Sequence, residues 1–182
     1  MEKQKMFKEE RNELTFCWGD LGNIQEGRPN LGDSTSVTVY RLMQYTLRDV
    51  LIKKFGADAA GEIFYDAGKS AGKEFCKNVL DKNNDFNGFI AGLQKVLKDQ
   101  NIGIMRVEKV NLQTLDMTIT VAEDLDCSGL PMTDETVCNY DEGFIAGILE
   151  AYTGKTFHVK EIDCWASGAR VCRFEVKKKN CP

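Results

Sequence analysis

The amino-acid sequence predicts an α+β domain: an antiparallel sheet with helices packed on it, and a C-terminal lobe where zinc joins a helix to a hairpin. Three observations carry this. Apolar residues recur at helical spacing in the first half and alternate with period two in the second. The element order is helices, strands, helix, hairpin, which fits an antiparallel sheet better than alternating βαβ units. Cys138, Glu161, Cys164 and Cys172 gather around the final helix and hairpin, the last three as E-x2-C-x7-C. Three thiols and a carboxylate can supply four ligands to one zinc ion, and few other ions suit that set.

Taken in order, residues 1–35 read as an irregular segment, with turn chemistry at Arg28-Pro29-Asn30-Leu31-Gly32-Asp33. Residues 36–182 read as one ligand-binding domain. Its first helix spans about Ser36–Phe55, with Val39, Leu42, Met43, Leu47, Val50, Leu51 and Phe55 at helical spacing and Gly56 as its stop. A second helix covers about Asp58–Leu80. Its interior glycines, Gly61, Gly68 and Gly72 among them, each cost roughly 1 kcal/mol against Ala, so close approach of another backbone is the expected compensation. A third helix runs from Phe86 to Asp99. Strands follow at Ile104–Val110 and over Leu115–Val121, then a loop holding Cys127, Gly129 and Pro131. A fourth helix spans about Asp141–Tyr152, with Asn139 and Glu142 spaced as a capping box. Two strands, about Thr156–Cys164 and Arg170–Lys177, flank the turn at Gly168.

The chain has 182 residues, 42% of them hydrophobic, enough for a real core. Its net charge of −4 gives no general attraction to nucleic acid or anionic lipid. Lys177-Lys178-Lys179 is the one dense basic run and reads as a solvated strand end. No apolar run approaches a membrane span or a signal peptide, so the expected location is cytoplasmic. In reducing conditions the seven cysteines read as thiols or metal ligands rather than disulfides. Cys17 and Cys76 read as buried small apolar residues, and Cys181 as exposed.

The proposed ligands pose a parity problem. Glu161 and Cys164 lie three residues apart, so a regular strand would turn them to opposite faces. A bulge near Ile162-Asp163 resolves it. Without one, Cys127 is the natural substitute and the site has four cysteines. Either set is closed, leaving no position for water, and so structural. Arg170 and Arg173 are placed to offset some of its negative charge.

Two further signals carry no function. Gly68-Lys69-Ser70-Ala71-Gly72-Lys73 is one residue short of a phosphate loop and lies inside a helical pattern. The single histidine, His158, has no neighbours that would make it catalytic. No residue pattern in the sequence points to catalysis. Phe86, Phe89, Met105, Met117, Tyr140, Phe144 and Phe157 are core residues by default, yet a gap between helices and sheet lined by them would form an apolar ligand pocket.

From about Cys138 to Val176 the chain resembles the vinyl-4-reductase domain family. The carrying residues are Cys138, Tyr140-Asp141-Glu142-Gly143-Phe144 with Gly147, Glu161-Ile162-Asp163-Cys164, Gly168, Cys172 and Phe174. Gly32 to Gly72 resembles the family's N-terminal helical part. The fold is shared with small Golgi vesicle-tethering subunits and with sensory domains of phenol- and xylene-responsive activators. In those sensory domains zinc is held by a Cys, then a Glu twenty-three positions on, a Cys three further and a Cys eight further. Cys138, Glu161, Cys164 and Cys172 repeat those intervals, so the resemblance implies zinc held by these four residues. It also implies a hydrophobic pocket beside the zinc lobe, and a homodimer. The expected function is binding or sensing of a hydrophobic or aromatic small molecule, passed on through a protein partner, with no direct nucleic-acid contact. The alternatives are an accessory role or enzyme in tetrapyrrole vinyl reduction, for which no hydride or electron carrier motif is present, and a structural adaptor.

Overall fold

In the computed structural model, residues 15–179 are described. A short 3-10 turn at Trp18–Leu21 and a one-turn helix α1 (Ile24–Gly27) precede the long helices α2 (Val37–Phe55), α3 (Ala57–Val79) and α4 (Phe86–Asp99). Strands β1 (Ile104–Val110) and β2 (Met117–Ala122) follow, then α5 (Asn139–Thr153) and the hairpin β3 (Phe157–Asp163) and β4 (Cys172–Lys178). The sheet is antiparallel throughout, in the order β1-β2-β4-β3. The α+β architecture is therefore as expected. The first part of the expected irregular segment, and Cys181, lie outside the described residues.

One face of the sheet is dry. Met117, Ile119 and Val121 of β2, Phe157 and Val159 of β3, and Phe174 and Val176 of β4 all turn inward and are buried. α4 packs over β1 and α5 over β3, and Phe89, Leu93, Ile148 and Leu149 complete the core. The alternation on β3 sends His158, Lys160 and Ile162 to the outer face.

The helix pair α3–α5 is the tightest contact in the fold. Gly68 and Gly72 of α3 face Gly143 and Gly147 of α5. A Cβ at Gly68 would stand 2.0 Å from the Tyr140 carbonyl oxygen, and one at Gly143 would stand 1.9 Å from that of Tyr65. No side chain fits there, so the backbones touch. This accounts for the helix-interior glycines and places Gly68–Lys73 inside a helix rather than a phosphate loop.

Four local expectations need correction. Residues 18–27 hold short turns of helix that show no periodicity in so few residues. β2 starts at Met117 because Leu115 takes positive φ (63°), which ends the preceding turn. The capping box is not formed: Cys138 is the N-cap residue, Asn139 accepts from Arg48, and Glu142 turns to β3. Cys17 is exposed, whereas Cys76 is buried.

Candidate functional site

Four element ends meet at one point. Cys138 caps α5, Cys164 directly follows β3, and Cys172 opens β4 opposite Val121 of β2. Five residues beyond β2, the turn at 123–130 brings in Cys127. The four sulfurs lie within 4.8 Å of one another, and all four residues are buried. Cys138 Sγ is 3.8 Å from Cys164 Sγ and 3.8 Å from Cys172 Sγ, while Cys127 Sγ is 3.0 Å from Cys172 Sγ. Two thiolates on one tetrahedral zinc, each at about 2.3 Å, lie roughly 3.8 Å apart. The spacing around Cys138 therefore already suits a metal, and the closely grouped sulfurs could hold one.

The hairpin register shifts between Glu161 and Asp163. This bulge at Ile162 removes the parity problem and leaves both Glu161 and Cys164 buried. Glu161 adjoins the cluster: its Oε2 accepts from the Cys138 backbone N–H at 3.0 Å, and its Oε1 is buried with no partner among the described residues. The Glu161 N–H donates to Glu142 Oε1 at 2.8 Å, and Lys160 pairs with the same oxygen at 3.0 Å. All the expected ligands and the substitute Cys127 thus come together.

The electrostatics are those of a crowded negative site. Hydrogen bonds from Cys127, Cys138 and Cys172 hold the Cys164 thiol far below the ordinary thiol range. Among the other three, hydrogen bonding to Cys127 and Cys164 pushes the Cys138 thiol well up. Burial raises the Glu161 carboxyl to about 8, and burial with neighbouring Asp126 raises Asp124 to about 7. Asp141, whose Oδ2 is buried and unpartnered among the described residues, is raised by burial and then by Asp126 and Asp124. Protons are how such a site limits its charge in the absence of a cation; a divalent ion would favour the deprotonated ligands instead.

The expected counter-charges are engaged elsewhere. Arg173 spans Glu108 and Asp163, and Arg170 lies over the Trp165 ring at 5.1 Å. The cations that reach the loops of the cluster come from α2. Arg41 donates to the carbonyls of Leu125 (2.7 Å), Ser128 (2.9 Å) and Asp124 (3.3 Å). Arg48 donates to the Val137 carbonyl and to Asn139 Oδ1, both at 3.1 Å. Asp126 is the hub: its carboxylate accepts from Tyr40 (2.8 Å) and Gln44 (2.6 Å), and its carbonyl from Tyr45 (2.9 Å). α2 is thereby tied to the residues flanking Cys127 and Cys138. This tie leaves little signal in the sequence, because its partners stand more than eighty positions apart.

The expected pocket residues do not line one cavity. Phe89, Met105, Met117 and Phe157 are sealed in the core, where Phe89 stacks on Tyr152. Phe86 packs at the core's edge, and Phe144 lies between the Phe75 and Tyr140 rings. An apolar cleft of about 200 Å³ opens instead between α2 and α3, lined by Tyr40, Met43, Gln44, Leu47, Leu51, Ile63, Phe64, Ala67 and Tyr140. Tyr140 alone is common to both sets. No helix among the described residues is long and apolar enough to cross a membrane.

Residues 117–178 match the family model of the V-4-R (vinyl-4-reductase) domain. An uncharacterised protein of Methanocaldococcus jannaschii is 27% identical over 177 residues, covering 97% of this chain and 93% of the relative. Among solved structures, a vinyl-4-reductase family protein from the same organism aligns with TM-score 0.62 at 19% identity, covering 93% of this chain and 99% of that one. The phenol-responsive sensory domain of the transcription activator PoxR, solved with phenol, aligns with TM-score 0.61 at 17% identity over 79% of this chain and 75% of that one. A trafficking protein particle complex subunit 3 from Naegleria fowleri, covalently bound to palmitic acid, gives TM-score 0.64 at 14% identity over 79% and 95%. These structural likenesses show a shared fold. The match over residues 117–178 is in keeping with the chain's resemblance to the vinyl-4-reductase family.

Proposed function

We propose that this chain is a small-molecule-sensing domain that takes an apolar or aromatic ligand between α2 and α3 and signals through α2 to a protein partner. One observation carries the reading. Tyr40 and Gln44 line the cleft and also hold Asp126, the residue before Cys127. A ligand that moves α2 therefore acts on the cysteine cluster, and the reverse. An apolar cavity of about 150 Å³ admits benzene, so about 200 Å³ suits a single aromatic ring or a short alkyl chain. Gln44 Oε1 is buried without a partner among the described residues, an acceptor that a ligand's hydroxyl could use once α2 shifts.

The same reading places zinc at the cluster as a structural ion. Cys138, Cys164 and Cys172 supply three ligands, with Cys127 and Glu161 beside the fourth position. Bound there, the ion supplies no redox chemistry; it ties α5 to the hairpin. The outer face of α2 is the surface offered to a second copy: Val39 and Leu42 there are each more than half exposed. The PoxR likeness supports aromatic ligands, and the trafficking-subunit likeness supports protein partners.

Thermal unfolding of the purified chain with a panel of single-ring aromatics and short alkanols tests the ligand. A melting temperature that climbs with ligand concentration is expected by mass action. No response to any apolar compound, with the metal in place, contradicts the reading.

A further inference from the structure

The cluster has more donors around it than the four a tetrahedral ion takes. Four are the sulfurs of Cys127, Cys138, Cys164 and Cys172. Asp124 and Asp141 group with Cys138 on the loop and helix side, and on the hairpin side Glu161, only 2% exposed, keeps Oε2 on the Cys138 N–H while its Oε1 has no hydrogen-bond partner among the described residues. A buried acceptor left empty is costly, and here it lies against a metal-binding set.

The donors are not equally fixed. Cys138, Cys164 and Cys172 sit at the ends of α5, β3 and β4, and the Cys138–Cys164 and Cys138–Cys172 separations of 3.8 Å already match coordination spacing. Cys127 is carried on a turn outside the sheet. Its sulfur stands 3.0 Å from Cys172, too close for two ligands of one ion, so Cys127 is the member that must move to coordinate.

We propose that Cys127 and Glu161 are alternative fourth ligands, and that exchanging one for the other tightens or frees the 123–130 turn and, through Asp126, α2. The inference rests on the metal binding proposed above. Each donor binds as a monoanion, so the exchange leaves the site's charge unchanged and burial alone does not dictate the choice. The two states differ in mechanics. With Cys127 bound, the turn held by Arg41, Tyr40, Gln44 and Tyr45 is anchored to the ion. With Glu161 bound, the ion rests wholly on α5 and the hairpin.

Cobalt(II) on the full chain provides the test, because thiolate-to-cobalt charge-transfer intensity counts bound sulfurs and needs no small-molecule ligand. Cys127→Ser is expected to keep cobalt at about three-quarters of the four-thiolate intensity, with faster hydrogen exchange in residues 37–55. Adding Glu161→Gln to Cys127→Ser should lower cobalt affinity by more than the 10–100-fold or so typical of losing an outer hydrogen-bond partner, whereas Glu161→Gln alone should leave the four-thiolate spectrum intact. Loss of cobalt from Cys127→Ser as complete as from Cys172→Ser overturns the proposal, as does a double variant that binds like Cys127→Ser. Should Cys127→Ser not fold, slow alkylation of the cobalt-loaded wild type decides: Cys127 is expected to react first with cobalt retained, and equal protection of all four thiols refutes exchange. If the wild type takes up no cobalt, the metal reading falls as well, while the aromatic-ligand panel is unaffected by any of these results.

Discussion

The helix pair α3–α5 and the helix α2 are held in the fold by opposite means. α3 and α5 meet backbone to backbone across Gly68, Gly72, Gly143 and Gly147, with no room for a methyl group. α2 is a longer helix than α5, yet among the described residues Gln44 is its one buried member, and its apolar side chains largely face outward. It is held by directional polar bonds from Tyr40, Arg41, Gln44, Tyr45 and Arg48. Close packing admits one arrangement, because any sliding forfeits many contacts at once. A set of hydrogen bonds to loop carbonyls and one carboxylate can be broken in parts. The comparison separates a scaffold from an element able to report.

The largest effect should come from breaking the scaffold. Gly143→Ala places a methyl 1.9 Å from a backbone oxygen that cannot yield without separating the helices. We expect a loss of about 4 kcal/mol or more, read from denaturant midpoints or from failure to accumulate folded protein. Near-native stability would mean that the two helices do not interlock as described.

Next in size is the cysteine cluster, which joins scaffold to reporter. Cys164→Ser should remove the metal and lower the melting temperature sharply, since metal-binding energy is folding energy in such lobes. Full chelation of the wild type should have a similar consequence, checked by metal analysis alongside calorimetry.

A smaller and local effect is expected at the tie itself. Asp126→Ala strips the carboxylate from Tyr40 and Gln44, at a cost of about 2–3 kcal/mol for bonds to a charged group. Hydrogen exchange should quicken in residues 37–55 and not in 57–79 or 139–153. Uniform quickening would erase the distinction drawn between the two regions.

The smallest effect concerns acid. Glu150 of α5 is paired with Lys69 (2.8 Å) and Lys73 (3.1 Å) of α3. Burial works against its ionised form, but the hydrogen bonds and charges of the two lysines outweigh it and hold the carboxyl below the ordinary 4.5. The stability this lends is complete above that ordinary value and disappears as pH falls through the lower folded value. Solvent screens the more exposed Lys73, so Glu150→Gln should reduce stability by only about 1 kcal/mol at neutral pH. It should also flatten the acid limb of the stability profile below pH 4.5.

Much of the scaffold was legible in the chain. The period of Val39 to Phe55, the alternation of β2 and the glycines of α3 each state a local preference that the fold keeps. The bulge at Ile162 was readable in outline, because Glu161 and Cys164 could share a face only if the strand broke step. Other features depend on partners far along the chain. Cys127 carries no spacing that links it to Cys172, and only the β2–β4 pairing brings its turn there. The α2–α3 cleft leaves no mark in the sequence because its lining residues read as an ordinary helix face, whereas the residues expected to line a pocket are large enough to fill the core. Arg170 and Arg173 looked suited to the cluster by sequence proximity, but Trp165, Glu108 and Asp163 are better partners in space.

Hydrogen–deuterium exchange of the zinc-loaded chain, repeated after graded chelation, tests the link between cluster and α2 most directly. Residues 123–130 and 37–55 are expected to lose protection first, at zinc levels where 57–79 and 139–153 still hold theirs. Simultaneous loss across all four segments, or no change on removing the metal, would contradict it.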